Sequence, residues 1–400
     1  MFSKRTNWRL EENAYTRALR RHRASGRALF DLTLSNPTAC GFQYDEAAIL
    51  GALAAPAALH YDPQPKGILQ ARAAVVNYYR QKNSEADLDP ERFILTTGTS
   101  EAYSFLFRLL CEPEDEIVIA HPSYPLFEFL GAIHDVKLHP FRLVYDHGWQ
   151  IDFAALTQAI SSRTRAIVLV HPNNPTGQFI SRSEADQLRQ LCLERELALV
   201  VDEVFLDYKL PVSGTREKHG SFVFDASVLT FVVSGLSKIA GLPQMKIGWI
   251  AANGPDAEAS EAIARLEIVA DTYLSLNAAI QHALPTLLVQ RSVIQPQIMA
   301  RIEKNLRKLD EELKRQDLIS RLEFEAGWCA VLRVPAVQSD EELAIHLLEN
   351  YSVLVHPGHF YDFPDEGYLV ASLLTPAAEF EEGICRIINC VGASPRNDFR

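Results

Sequence analysis

The sequence is short of every feature that would place it outside the ordinary globular class. No stretch approaches the roughly 20 consecutive apolar residues that a membrane-spanning helix needs. The first 22 residues are polar and basic with no apolar core, which predicts no secretory signal. Six cysteines are scattered at positions 40, 111, 192, 329, 385 and 390 without one Cys-x-x-Cys pair, so neither a disulfide framework nor a zinc site is expected. They read as small buried apolar residues in a reducing compartment. Basic residues are outnumbered, 39 Lys and Arg against 51 Asp and Glu, for a formal charge of −12. That argues against a nucleic-acid partner, which wants a basic patch. Internal repeats and low-complexity tracts are absent too. The expectation is a soluble cytoplasmic protein that binds neither membrane nor nucleic acid and holds no metal.

What is present is length and rhythm. Four hundred residues suffice for one large core and a smaller second domain. From Phe93 onward, short apolar segments alternate with amphipathic ones. Strands are expected at 93–96, 117–121, 136–140, 166–171, 198–201, 228–233 and 247–252. Helices are expected at 100–110, 124–132, 153–160 and 182–196. Continuous apolar strands separated by helices predict an α/β fold, a mostly parallel sheet of the seven-stranded type covered on both faces. A long helix is expected over 295–317. After it the pattern changes to a smaller α+β domain, with strands at 322–325, 329–334, 353–355 and 368–373. The expected division is an N-terminal segment, 1–44, packing with the small domain; a large domain, 45–290; and a small C-terminal domain, 291–400.

One stretch organises the chemistry. Ser234-Gly235-Leu236-Ser237-Lys238 follows an apolar strand, and a second apolar strand leaves the same loop after Lys246. A lysine just past a buried strand is well placed to form a Schiff base with a carbonyl, although a surface loop lysine has the same local pattern. Three further groups sit past strand ends, where open α/β sheets place ligands. Thr97-Gly98-Thr99-Ser100 opens a helix whose free amides can hold a phosphate, but Ser and Thr also cap most helices. His171-Pro172-Asn173-Asn174-Pro175-Thr176-Gly177 is a turn, yet turn chemistry does not require two adjacent asparagines. Val201-Asp202-Glu203 ends a strand with acids. Asp202 could face a cationic ring nitrogen, and Glu203 reads as a structural contact.

This ordered set resembles the class I and II aminotransferases, pyridoxal-phosphate enzymes of fold type I, from about Leu34 to Phe380. The resemblance implies that Lys238 binds the aldehyde of pyridoxal 5'-phosphate and moves a substrate proton, and that Asp202 pairs with the ring nitrogen. It implies that Asn174 donates to the ring's phenolic oxygen, that Tyr124 stacks on the ring, and that Thr99, Ser100 and Lys246 hold the phosphate. Tyr61 matches a tyrosine contributed by the second subunit of a homodimer with a shared active site. Asn36, Pro37 and Thr38 match a segment lying over the substrate. Small-molecule amine and keto substrates follow.

Four positions depart from the family pattern. Phe205 stands where a tyrosine bonds the phenolic oxygen, which leaves no donor there. Lys246 replaces an arginine and loses its bidentate fork. Gly235 replaces a serine. Val370 stands where an arginine grips the substrate carboxylate, with His356, His359, Arg142, Arg396 and Lys209 as other cations to consider. The reading is an aminotransferase acting on an atypical amino donor. The alternatives are a decarboxylase or a C–S or C–O lyase on the same scaffold, and a non-catalytic relative of the fold.

Overall fold

Alternation along each central strand sorts the core into two layers. Val118 and Ala120, Ile167 and Leu169, Leu199 and Val201 all point to one face of the large sheet. Ile117 and Ile119, Ala166 and Val168, Ala198 and Val200 point to the other. Both faces are apolar because both are covered, as expected for parallel strands with crossover helices. The computed structural model describes residues 1–8, 10–123, 125–211 and 216–393. Among them no helix is long and apolar enough to cross a membrane, and all six cysteines are free thiols.

The large sheet runs Phe93–Thr96, Gly248–Asn253, Thr230–Gly235, Ala198–Asp202, Thr164–Val170, Glu116–His121, Lys137–Tyr145, Trp149–Ile151. Five neighbouring strands are parallel, and Gly248–Asn253 runs against both of its neighbours. Here the structure adds an eighth strand to the seven expected. Trp149–Ile151 folds back on Leu143, Val144 and Tyr145 as an antiparallel edge. The strand Lys137–Tyr145 accordingly runs five residues beyond its expected end at 140.

Topology then fixes where a ligand can sit. The strands ending at Thr96, Val170, Asp202 and Gly235 all finish on one edge of the sheet, and the strand starting at Gly248 enters from that same edge. This is the crevice where open α/β sheets bind.

A second, antiparallel sheet runs Ser320–Arg321, Cys329–Arg333, Tyr368–Ser372, His356–Pro357. The expected strand over 322–325 does not form. Leu322 pairs only through its N–H to Val331 O at 2.8 Å. Glu325 turns away to dock on the large sheet's loops, donating its N–H to Gly177 O at 3.0 Å and accepting from Phe179 N–H at 2.9 Å. The N-terminal chain joins this part of the molecule. Phe30–Asp31 pairs in parallel with Val353–Leu354, and the Thr375 hydroxyl donates to Asp31 O at 2.9 Å. The expected helix at 124–132 begins at Phe127.

One buried carboxylate ties the edge strand to its helix. Glu184 closes a capping box with Ser181 at the start of the helix Arg182–Arg195. It also accepts the Ile151 N–H at 2.9 Å, while Arg216 donates to Trp149 O at 2.8 Å. Replacing Glu184 by Ala strands the Ile151 and Ser181 N–H donors in a buried site, an expected loss of about 1–3 kcal/mol. Urea titration should show a lower midpoint at unchanged slope. An unchanged midpoint would contradict the assignment.

Candidate active site

At the crevice lies a cavity of about 260 Å³ whose wall includes Ser35, Thr99, Ser100, Tyr103, Asn174, Asp202, Phe205, Ser237, Lys238, Lys246, Trp328, Cys329 and Tyr361. Seven of the eight positions singled out from sequence can be placed. Six of them (Thr99, Ser100, Asn174, Asp202, Lys238 and Lys246) line this one cavity. Tyr124 falls outside the described residues. Tyr61 lies elsewhere: it is 84% exposed and lines a second cavity of about 200 Å³ with Phe105, Leu274 and Gln281.

Asp202 is the last residue of its strand and shares the face of Ala198 and Val200, toward the helix Thr99–Leu110. Tyr103 on that helix donates its hydroxyl to Asp202 Oδ2 at 3.1 Å, and Val204 N–H donates to Oδ1 at 3.0 Å. The sequence reading missed Tyr103, although it sits one helical turn after Thr99 and so on the same face. Burial pushes the Asp202 carboxyl up to about 6, against the two hydrogen bonds and the nearby Lys238. The neighbouring Glu203 serves structure. It accepts the Ser221 hydroxyl at 2.6 Å and the Phe222 N–H at 2.7 Å, and burial raises it to about 8.

Lys238 lies in a one-turn helix, Leu236–Ile239, immediately after the strand ending at Gly235. The backbone there is tight: a Cβ on Gly235 would come within 2.8 Å of Ile247 O. The Tyr208 hydroxyl donates to Lys238 O at 2.6 Å and fixes the turn. The ammonium sits over two rings, 5.0 Å from the centroid of Trp328 and 5.8 Å from that of Phe205. Desolvation lowers its pKa, opposed by Cys329 and Asp202. An amine held this way is closer to its nucleophilic, uncharged form than a surface lysine. Trp328 and Cys329 were not found from sequence, because they arrive with the second sheet, Cys329 opening a strand and Trp328 just before it.

The two adjacent asparagines divide their work. Asn173 Oδ1 accepts the Thr176 hydroxyl at 2.9 Å and builds the turn, while Asn174 faces the cavity. His171 is structural as well. Its Nδ1 accepts the Ile180 N–H at 3.1 Å, so Nε2 carries the proton donated to Gly220 O at 3.0 Å. Gly177 has φ +67°, and a Cβ there would meet Ala326 O at 2.3 Å. This explains the glycine that ends the motif.

At the far end, the helix Thr99–Leu110 begins at Gly98 with no side-chain cap. Its first-turn amides therefore open on the cavity with no capping oxygen, a natural anion site. Lys246 Nζ lies 3.9 Å from where a Cβ on Gly98 would stand. Among the described residues no arginine lines the cavity, and the cations that do are Lys238 and Lys246. Val370 is buried at 1% exposure, paired with Val331 on one side and His356 on the other. Arg142 and Lys209 are exposed and do not line the cavity, and His359 is exposed. Arg396 falls outside the described residues.

Comparison with known proteins places the chain in a family. The sequence model of aminotransferase class I and II matches residues 44–387. An alanine aminotransferase of Mycobacterium tuberculosis is 27% identical over 373 residues, spanning 92% of this chain and 86% of that protein. An S-alkyl-thiohydroximate lyase of Arabidopsis thaliana is 29% identical over 224 residues, spanning 56% of this chain and 48% of the lyase. The solved alanine aminotransferase from Pyrococcus furiosus shares the fold with a TM-score of 0.87 at 23% identity, covering 98% of this chain and 100% of that one. The chain belongs to the class I and II aminotransferases and is a pyridoxal-phosphate-dependent enzyme of that family.

Proposed function

We propose that this cavity is where the chain holds its cofactor, and that it moves an amino group from a donor whose carboxylate no arginine at position 370 grips. The residues present suit the group. Lys238 supplies a desolvated amine for covalent attachment. Asp202, buried among neutral donors, is suited to hold a proton on a ring nitrogen. The uncapped helix start at Thr99 and Ser100, with Lys246 beside it, is suited to a phosphate. The observation that carries the reading is the convergence of these three chemistries on one cavity. Bound there, pyridoxal phosphate supplies an electron sink for the pair left when a substrate Cα–H bond breaks.

The side chains divide the remaining tasks. Lys238, with its amine free, would take the proton from the substrate's Cα and return it during the transfer. Asn174, which lines the cavity, would orient the ring through its amide. Phe205 leaves the hydroxyl donor of its position unfilled, and Trp328 and Phe205 keep water from the amine. Tyr61, exposed and away from its own cavity, completes the site of a second copy in a shared-site homodimer. The units carrying these parts are 1–44, 45–290 and 291–400.

A second reading, elimination at a C–S or C–O bond, draws on the match to the lyase and on the missing arginine. The two separate on incubation with an amine and no keto acceptor. A transaminase stalls after one turnover, whereas a lyase continues.

Lys238→Ala should abolish the borohydride-sensitive visible band that the wild type acquires with pyridoxal phosphate. A band persisting in that variant would overturn the assignment. The rate of cofactor uptake by the emptied protein should rise with pH through a midpoint below the ordinary lysine value of 10.5. Asp202 raises the Lys238 pKa, so Asp202→Asn should move that midpoint lower still; an upward shift would refute the coupling. Phe205→Tyr restores a donor that stabilises the phenolate. The pH at which the bound cofactor's visible band changes should therefore fall, and a titration showing no change would remove Phe205 from the ring's surroundings.

A further inference from the structure

With Lys238 and Lys246 committed as above, no further lysine or arginine among the described residues of one chain lines the cavity. The second sheet offers something else. His356 and Val370 are directly paired across antiparallel strands, and directly paired residues present their side chains on the same face. His356 therefore stands beside the position where a guanidinium would arise. Its Nδ1 is 3.3 Å from the hydroxyl of Tyr361, and Tyr361 lines the cavity with Lys238. The tyrosine is anchored from the large sheet. Its carbonyl accepts the Ser123 N–H at 2.9 Å, and the next residue, Asp362, has Oδ2 3.6 Å from His121 Nε2.

We infer that Tyr361, backed by His356, holds the substrate's carboxylate beside the reacting amine, a neutral hydrogen-bonding pair in a cavity that no arginine among the described residues lines. This rests on the function proposed above and assigns the side chains that read the carboxylate, without a full counter-charge. The phenol donates its hydrogen to the carboxylate and accepts from His356 through the tautomer protonated at Nδ1. Burial lowers the His356 pKa, with Asp31 opposing, so the pair contributes hydrogen bonds and orientation but no cation. Hydrogen bonds from neutral donors are weaker than charge-assisted ones. The enzyme should therefore discriminate less sharply than a guanidinium site between an amino acid and the amine lacking its carboxylate.

The test uses the holoenzyme with L-alanine, ethylamine and a keto acceptor. Tyr361→Phe should raise KM for L-alanine about twofold to tenfold, the range for one neutral hydrogen bond. Its effect on KM for ethylamine should be far smaller, and the visible band should be retained. His356→Leu should raise the same KM less, and the double variant should add little to Tyr361→Phe, because the histidine acts through the tyrosine. His356→Leu also keeps the inference testable if Tyr361→Phe fails to fold. Equal effects on both substrates, or none, would overturn the inference, as would a wild type that takes ethylamine and refuses L-alanine. In those cases the band at Lys238 still forms. A wild type that never forms the band sinks this inference together with the function beneath it.

Discussion

Desolvation at the carboxyl ends of the central strands is the constraint on which the rest depends. Removing Lys238 and Asp202 from water makes each less content with its charge. The amine is pushed toward its neutral form and the carboxyl toward its protonated one. Neither is a comfortable core residue, and the surrounding structure compensates. Tyr103 and the Val204 amide stabilise the carboxylate, while Tyr208 pins the lysine's backbone. Such perturbed groups cluster at functional sites.

Much of the large sheet was legible because its strands are continuously apolar and end abruptly in polar turns. The strand Phe93–Thr96 has the bounds expected of it. The edge strand Trp149–Ile151 was not legible. It is three residues long with a glutamine at its centre, and its pairing depends on Glu184 and Arg216 from elsewhere. The error at 322–325 has the opposite origin. Leu322 and Phe324 are both buried and alternate like a strand, but Glu325 is claimed by the turn at Gly177. Tertiary docking there outweighs local pattern.

The same distinction runs through the site. Residues that follow strand ends in sequence, such as Asn174, Asp202 and Lys238, could be read because strand order dictates where they meet. Those contributed by the second sheet and the segments beside its strands could not, because Trp328, Cys329 and Tyr361 carry no motif of their own and reach the cavity only through packing. The paired asparagines show why a motif is more than a label: one shapes the turn so that the other can face inward.

The pairing of Phe30–Asp31 with Val353–Leu354 has a consequence for synthesis on the ribosome. Every strand of the large sheet lies between Phe93 and Asn253, so that sheet is complete in the nascent chain while the first strand still waits for a partner not yet translated. The emerging polypeptide passes through an interval in which the lysine and its carboxylate neighbour exist but the wall bearing Trp328 and Tyr361 does not. During that interval Tyr15 and Ala18, which the finished fold buries against Ala344 and Leu348, stand uncovered, the kind of transiently exposed apolar surface that invites misassembly.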